Sequence, residues 1–137
     1  MKPLILAILA LAAFTASLRG QITIGVDIST TGPLASLGIP NKNALLLAPT
    51  TIAGQKINYV ILDDASDTSA AVQNVKRLIS ENNIDLLLGP SVTPTTLAVT
   101  ETVAAAKTPL ISYGSASSIV APMDSKKQWI FKTTAND

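Results

Sequence analysis

Short apolar runs of strand length alternate with longer segments of helical periodicity from Gln21 onward, and this alternation restricts the possible folds most. Five runs are predicted to be strands, namely 22–28, 56–62, 84–88, 109–112 and 129–132. Because these runs are apolar throughout, both faces of the sheet that they form must be covered. Strands connected through helices run parallel to one another. The sequence therefore predicts an α/β fold, a three-layer parallel sheet with helices on both faces.

Two of the connecting segments predict well-defined helices. The apolar residues of the first recur at helical spacing between an N-cap at Asp67 or Thr68 and a stop at 82–83. The second helix is expected over 94–107, a segment rich in alanine, valine and threonine. A shorter helix is expected between the first two strands, where Pro49 interrupts it early.

Residues 1–20 have the layout of a secretory signal peptide. One positive charge at Lys2 precedes an uncharged apolar stretch, 4–16, and small residues follow it. The stretch is too short to cross a bilayer, which requires about 20 apolar residues. We expect export, with cleavage after Ser17 or after Gly20; a tail anchor or a core helix is the alternative.

The residue types that most enzymes need are missing from this chain. It contains no histidine and no cysteine, which excludes Ser-His-Asp and Cys-His catalysis and the usual zinc sites. Dinucleotide, P-loop and Gly-x-Ser-x-Gly motifs are absent, and so is Ser-x-x-Lys. Without the first 20 residues the net charge is slightly negative, so no basic patch for nucleic acid is expected. Binding without chemistry is the leading class, with no cofactor and no metal.

Polar loops follow the predicted strands at the edge where α/β sheets bind ligands, outside the carboxyl ends of the strands. The loop 89–96 contains Ser91, Thr93 and Thr95, with Thr93 as the expected N-cap of the next helix and Pro94 at its first position. Backbone N–H groups at such a helix start favour an anion such as a carboxylate. The alternative is that these residues only cap the helix.

Further loops belong to the same edge. The loop 112–118 offers carbonyl and hydroxyl groups that suit an ammonium group, although an ordinary flexible serine loop explains it equally well. The loop 29–38 is a third polar turn. The acidic stretch 63–67 suggests a metal site only weakly, because it lacks the spacing of a calcium loop. Helix capping and a turn explain its acids more simply.

Taken in order, several blocks resemble the periplasmic solute-binding proteins of ABC transporters for branched-chain amino acids and related amides. The resemblance extends from Ile22 to Asp137, and the blocks that carry it are STTGPLASLG, LDDASDTSAAVQNVKRLI, LLLGPSVTPTTLAV, TPLISYGSAS and WIFKTTAND. It implies a periplasmic protein whose two α/β lobes close on a small solute, such as an amino acid, an amide or a related aliphatic acid. It also implies docking of the loaded protein on an ABC permease in the membrane.

The resemblance implies a role for each matching residue. Thr93, near Ser91, would bind a ligand carboxylate, and Gly114 and Ala116 would bind an amino group. Because Ala116 has no hydroxyl, Ser115 or Ser117 would replace it in that role.

A further departure concerns the wall of the pocket. An aromatic residue often forms this wall in the family, and the matching position here is Leu37. Together with Ala116, this departure argues against an ordinary α-amino acid as the ligand.

Family members are more than twice as long as this chain. The resemblance therefore implies an N-terminal fragment, with a signal peptide over 1–20 and an incomplete N-terminal lobe, the first part of lobe I, over 21–137. Two alternatives remain open. One is a ligand-sensing lobe of an extracellular receptor or regulator, and the other is an enzyme whose catalytic groups lie outside this sequence.

Overall fold

The computed structural model describes residues 21–136, so the predicted signal peptide lies outside the described residues. The elements in chain order are β1 (Ile22–Ile28), α1 (Ala35–Leu45), β2 (Thr51–Ile52), β3 (Gln55–Asp63), α2 (Thr68–Ser80), β4 (Leu86–Leu88), α3 (Thr93–Ala106), β5 (Leu110–Ser112) and β6 (Ile130–Lys132). Short 3-10 turns cover Ser117–Ile119 and Lys127–Trp129. The α/β prediction is confirmed, and each predicted strand and helix is present with its ends moved by a few residues.

The six strands form one sheet in the order β2-β3-β1-β4-β5-β6. All neighbouring strands are parallel except β2 and β3, which pair antiparallel. The chain goes from β1 to β3 on one side and then to β4 on the other side, so strand order reverses between β1 and β4. Such a switch point opens a crevice at the carboxyl ends of the strands.

The main core lies between one face of the sheet and the helices α2 and α3. Asp67 begins α2 by accepting a hydrogen bond from the backbone N–H of Ala70 at 2.7 Å, as predicted for an N-cap. The fully or nearly fully buried apolar residues of this core are Ala71, Val75, Leu78, Ile84, Leu87, Val99, Val103, Leu110, Ile119 and Ile130.

The opposite face of the sheet carries a continuous apolar row. Val26 is paired in register with Ile61 and Leu88, Leu88 with Ile111, and Ile111 with Phe131. Val26, in the centre, is fully buried, whereas Ile61 is 38% exposed and Phe131 is 56% exposed. Within residues 21–136, helices therefore cover only part of this face of the sheet.

Three details differ from the sequence predictions. The two-residue strand β2 is not predicted, because a run that short has no periodicity. Helix α1 contains Pro40 and ends at Leu45, before Pro49. Helix α3 has Val92 as its N-cap, so Thr93 is already helical and Pro94 comes second.

Among residues 21–136, no helix is long and apolar enough to span a membrane.

Candidate functional site

A cleft of about 530 Å³ lies at the carboxyl edge of the sheet. It is formed by the start of α1 and by the segments that follow β4, β5 and β6. Its lining residues are Leu34, Leu37, Asn41, Ser91, Val92, Thr93, Pro94, Tyr113, Gly114, Ser115, Thr133 and Thr134. No carboxylate or ammonium group is among these lining residues of the described chain.

Five of the residues predicted for the site line this cleft, and two do not. Leu37, Ser91, Thr93, Gly114 and Ser115 are at its surface. The two that do not line it are Thr95 and Ala116.

Ser91 holds together the loops that follow β1 and β4. Its Oγ accepts hydrogen bonds from the backbone N–H of Ser29 at 3.3 Å and from Nδ2 of Asn41 at 3.4 Å. A hydroxyl has one proton to donate in addition to its lone pairs. With N–H donors on its oxygen, Ser91 therefore keeps its proton for an acceptor in the cleft.

Thr93 has the same kind of partner. Its Oγ1 accepts a hydrogen bond from the backbone N–H of Ala116 at 3.3 Å, which again leaves the hydroxyl proton for an outside acceptor. This bond gives Ala116 a structural position beside the cleft, through its backbone rather than its side chain. Thr93 is also the first residue of α3, where the helix dipole favours negative charge.

The other two threonines of this loop face the interior. Thr95 and Thr96 are fully buried, and the Oγ1 atoms of both donate to the carbonyl of Val92, at 3.1 and 2.9 Å. The hydroxyl of Thr95 is thus committed within the first turn of α3. The sequence pattern does not predict that these hydroxyls face the interior. A threonine that donates to a carbonyl of its own helix cannot be distinguished in sequence from an exposed threonine.

A buried pair of hydroxyls fixes the loop after β5 against α3. Oγ1 of Thr96 and Oγ of Ser112 lie 2.7 Å apart, and Ser112 Oγ accepts from the backbone N–H of Gly114 at 2.9 Å. Gly114 also packs closely: a Cβ there would lie 2.7 Å from Ile119 Cδ1 and 3.1 Å from Thr93 N. Glycine therefore lets this loop approach the start of α3 more closely than a residue with a Cβ would.

The carbonyl groups of the same loop already accept hydrogen bonds. Oγ1 of Thr134 donates to the carbonyl of Gly114 at 2.5 Å, and Nζ of Lys132 donates to the carbonyl of Ser115. Both donors come from β6 or from the residues just after it. Thr133 and Thr134 line the cleft but are not among the predicted site residues, although the rule that ligands bind at the carboxyl ends of strands applies to β6 as well.

Gly89 brings the loop after β4 close to β1. Its φ is +90°, and a Cβ on it would lie 2.0 Å from the carbonyl oxygen of Asp27. Any other residue would push the two strand ends apart.

Asp27 itself is fully buried, and its Oδ1 accepts from Nδ2 of Asn74 at 2.8 Å. Burial raises the pKa of Asp27 to about 8; the Asn74 hydrogen bond acts against this, and the nearby charges of Asp64 and Asp63 add to it.

The acidic stretch after β3 serves as a turn and a cap. Asp63 accepts hydrogen bonds from the backbone N–H groups of Thr30, Thr31 and Ala65. Burial acts to raise its pKa, but these hydrogen bonds outweigh burial and lower the pKa to about 2. Asp64 Oδ1 accepts from the hydroxyl of Ser29 at 2.6 Å. The stretch therefore orients the loop after β1, in agreement with the simpler of its two predicted roles.

Comparison with known protein families gives one clear match. The profile of the family described as periplasmic binding protein matches residues 21–137. No match was found among curated proteins.

Solved structures give close matches. An extracellular ligand-binding receptor from Rhodopseudomonas palustris HaA2 is 41% identical with a TM-score of 0.84, over 87% of this chain and 33% of that one. A solute-binding protein of an ABC transporter from Rhodopseudomonas palustris BisB5, in complex with 3,4-dihydroxybenzoic acid, is 26% identical with a TM-score of 0.77, over 85% and 32%.

A more distant match shows the fold alone. It is the branched-chain amino acid transporter substrate-binding protein from Streptococcus pneumoniae, in complex with isoleucine, at 22% identity and a TM-score of 0.75, over 85% and 34% of the two chains. The chain thus spans about a third of the length of the solved structures that it matches.

Proposed function

Because this chain belongs to the periplasmic binding protein family, we propose that it forms part of one lobe of the substrate-binding component of an ABC importer. In this proposal the chain is exported to the periplasm by residues 1–20, and the complete protein delivers a small solute to a membrane permease. The solute is an amino acid, an amide or a related organic acid, captured between two lobes. The role is binding without catalysis.

The observation that carries the proposal is the pair of hydroxyls at the start of α3. Ser91 and Thr93 line the cleft, and each accepts an N–H hydrogen bond that leaves its own proton for a ligand. Next to the positive end of a helix, two such donors suit a carboxylate. The cleft lies at the edge where strand order reverses, the usual place for a ligand in α/β sheets.

A sensor lobe is the second candidate, favoured by the description of the 41% identical relative as an extracellular ligand-binding receptor. The two candidates share the cleft and differ in the segment C-terminal to the second lobe. A membrane span with a signalling domain there would favour the sensor, and an end after the second lobe would favour transport.

Binding is best tested in a two-lobed protein, since the described residues form one wall of the cleft. By two-lobed protein we mean a natural chain of full family length that carries this lobe. Alternatively, it is a chimeric protein in which residues 21–136 of this chain replace the matching third of the 41% identical relative.

The experiment measures Tm with a panel of amino acids, amides and organic acids, because a ligand that binds only the folded state raises Tm. We expect at least one solute to raise Tm in a concentration-dependent way. Sodium chloride and glucose at equal concentration are the controls. If no solute raises Tm above these controls, the proposed function is wrong.

A further inference from the structure

Resting on the proposed function, we propose that the solute is an organic acid without an ammonium group next to its carboxylate. Among the described residues, the cleft wall formed by this lobe offers hydroxyl protons but no carboxylate, and two of its backbone carbonyls already accept hydrogen bonds from this chain. That imbalance selects for the carboxylate half of an amino acid and against its ammonium half.

Two carbonyls that an ammonium group would use already hold a donor each. The carbonyl of Gly114 accepts from Thr134 Oγ1, and the carbonyl of Ser115 accepts from Lys132 Nζ. These two carbonyls belong to the loop whose backbone suits an ammonium ligand. Each of these oxygens has two lone pairs, one of which already holds a donor of this chain. An ammonium group placed there would share both acceptors with those donors, and the incomplete exchange for its water shell is unfavourable.

Charge acts in the same direction. The Nζ of Lys132 is itself a cation bonded to the carbonyl of Ser115, so a ligand ammonium at this loop would meet a like charge. No aspartate or glutamate lines the cleft among residues 21–136 to offset that repulsion. The side-chain acceptors of the cleft are neutral, namely the amide oxygen of Asn41 and the hydroxyl oxygens, and none of them offsets a positive charge as a carboxylate would.

The rest of the wall suits a carboxylate attached to an apolar body. Ser91 and Thr93 supply hydroxyl protons at the start of α3, and Leu34, Leu37 and Val92 line the same cleft. Apolar walls with a few fixed polar groups are typical of small-molecule sites. A short aliphatic or aromatic acid satisfies both parts.

The test compares matched pairs of solutes that differ only in the α-ammonium group. Calorimetric titration of the two-lobed protein uses leucine against 4-methylpentanoate and phenylalanine against 3-phenylpropanoate. We expect the deaminated acid of at least one pair to bind at least about 100-fold more tightly than its amino acid.

A double variant identifies which lobe causes the preference. Lys132→Met with Thr134→Val removes both donors and frees both carbonyls, so the preference for the acid should fall by about tenfold or more. Lys126→Met is the matched control, because Lys126 is exposed, pairs with Glu101 and does not line the cleft. The control should keep the full preference.

The outcomes separate this inference from the proposed function. Tighter binding of the amino acids than of their deaminated partners would overturn the inference and leave the proposed function standing. A preference for acids that the double variant leaves unchanged would also overturn it, since Lys132 and Thr134 would then not be its cause. If the Tm panel finds no ligand of any class, the proposed function fails, and this inference fails with it.

Discussion

Oγ1 of Thr134 lies 2.5 Å from the backbone carbonyl oxygen of Gly114 and donates a hydrogen bond to it. The two residues are far apart in sequence, at the carboxyl ends of β6 and β5, and parallel pairing of these strands brings them together. This contact and the one between Lys132 and Ser115 give each of the two carbonyls of the loop after β5 a donor from this chain, and they bring a cation to the loop. The chemistry of the cleft is therefore determined by β6 as much as by the loops with the most hydroxyls.

Loss of the Thr93 hydroxyl should weaken ligand binding. In the two-lobed protein, Thr93→Ala removes a charge-assisted hydrogen bond to the ligand carboxylate and should cost about 1 to 3 kcal/mol of binding free energy. Thr100→Ala is the control, because Thr100 lies about two turns further along α3 and its hydroxyl donates to the carbonyl of Thr96. An unchanged Kd in Thr93→Ala would remove Thr93 from the site.

Residues 21–137 expressed alone should bind no amino acid, amide or organic acid measurably at millimolar concentration. The wall that this lobe forms would contact one side of a ligand, whereas small-molecule sites bury about 70 to 90% of it. A few exposed hydrogen bonds, each worth about 0.5 to 1.5 kcal/mol, do not offset the entropy lost on association. Calorimetry that gave a micromolar Kd for this chain alone would contradict the prediction.

The same chain should be poorly soluble, and Phe131 should contribute to this. Phe131 is 56% exposed on the partly covered face, and it belongs to the edge strand β6, which can pair with another chain. Phe131→Lys should raise the soluble, monomeric fraction measured by size-exclusion chromatography. Met123→Lys is the control, since Met123 is also exposed, at 67%, but lies outside the sheet. Equal improvement in both variants would mean that general surface charge, and not this face, limits solubility.

The free energy of unfolding of the two-lobed protein should include a contribution from Asp27 that decreases as the pH rises toward 8. The pKa of Asp27 is raised by burial from 3.8 to about 8, so between these values the folded state holds a proton that the unfolded chain has lost. Each pH unit in that window can then cost up to about 1.4 kcal/mol of unfolding free energy. Asp63 does not contribute to the pH dependence of stability between pH 4 and pH 8. Its pKa is lowered from 3.8 to about 2, so the stability that it contributes is lost only as the pH falls below about 4.

Asp27→Asn tests this directly, because an amide of the same shape does not titrate in the window. Urea unfolding at pH 5, 6, 7 and 8 should show a smaller loss of stability in Asp27→Asn than in the unmodified protein. Identical pH slopes in Asp27→Asn and the unmodified protein would show that Asp27 is ionised in the folded state.

Adding one methyl group at Gly114 should damage the cleft without unfolding the lobe. The new Cβ in Gly114→Ala would lie 2.7 Å from Ile119 Cδ1 and 3.1 Å from the backbone nitrogen of Thr93, so the Ile119 side chain must turn away and the loop must shift slightly from the start of α3. We expect affinity for the ligand to fall by about tenfold, which corresponds to about 1.4 kcal/mol. The control Ser118→Ala, at an exposed position in the next turn, should keep the affinity of the unmodified protein. Normal binding by Gly114→Ala as well would show that the loop position does not matter.

Much of the fold can be predicted because its signals are local. Residue type and position predict Asp67 as a cap, and an apolar run bounded by polar residues predicts β1. The two-residue strand β2 cannot be predicted, because its pairing depends on where the turn after it places β3. The predicted N-cap of α3 is one residue off, since Val92 has the extended backbone of a cap without a capping side chain.

The site is harder to predict than the fold because its chemistry depends on partners distant in sequence. In the sequence the loop after β5 is a source of free carbonyls, and the donors from Lys132 and Thr134 reach it only when β6 pairs with β5. Thr95 is of a residue type that often binds ligands, yet its hydroxyl donates a hydrogen bond to the backbone carbonyl of Val92 at the start of its own helix. Asn41 lines the cleft from the second turn of α1, where no motif marks it.

A crystal structure of the two-lobed protein with a bound solute from the panel tests the proposed carboxylate site most directly. We predict a carboxylate within about 3.2 Å of the hydroxyl oxygens of Ser91 and Thr93, with Thr134 and Lys132 still bonded to Gly114 and Ser115. A ligand ammonium bonded to the carbonyls of Gly114 and Ser115, or a ligand that touches neither Ser91 nor Thr93, would contradict it.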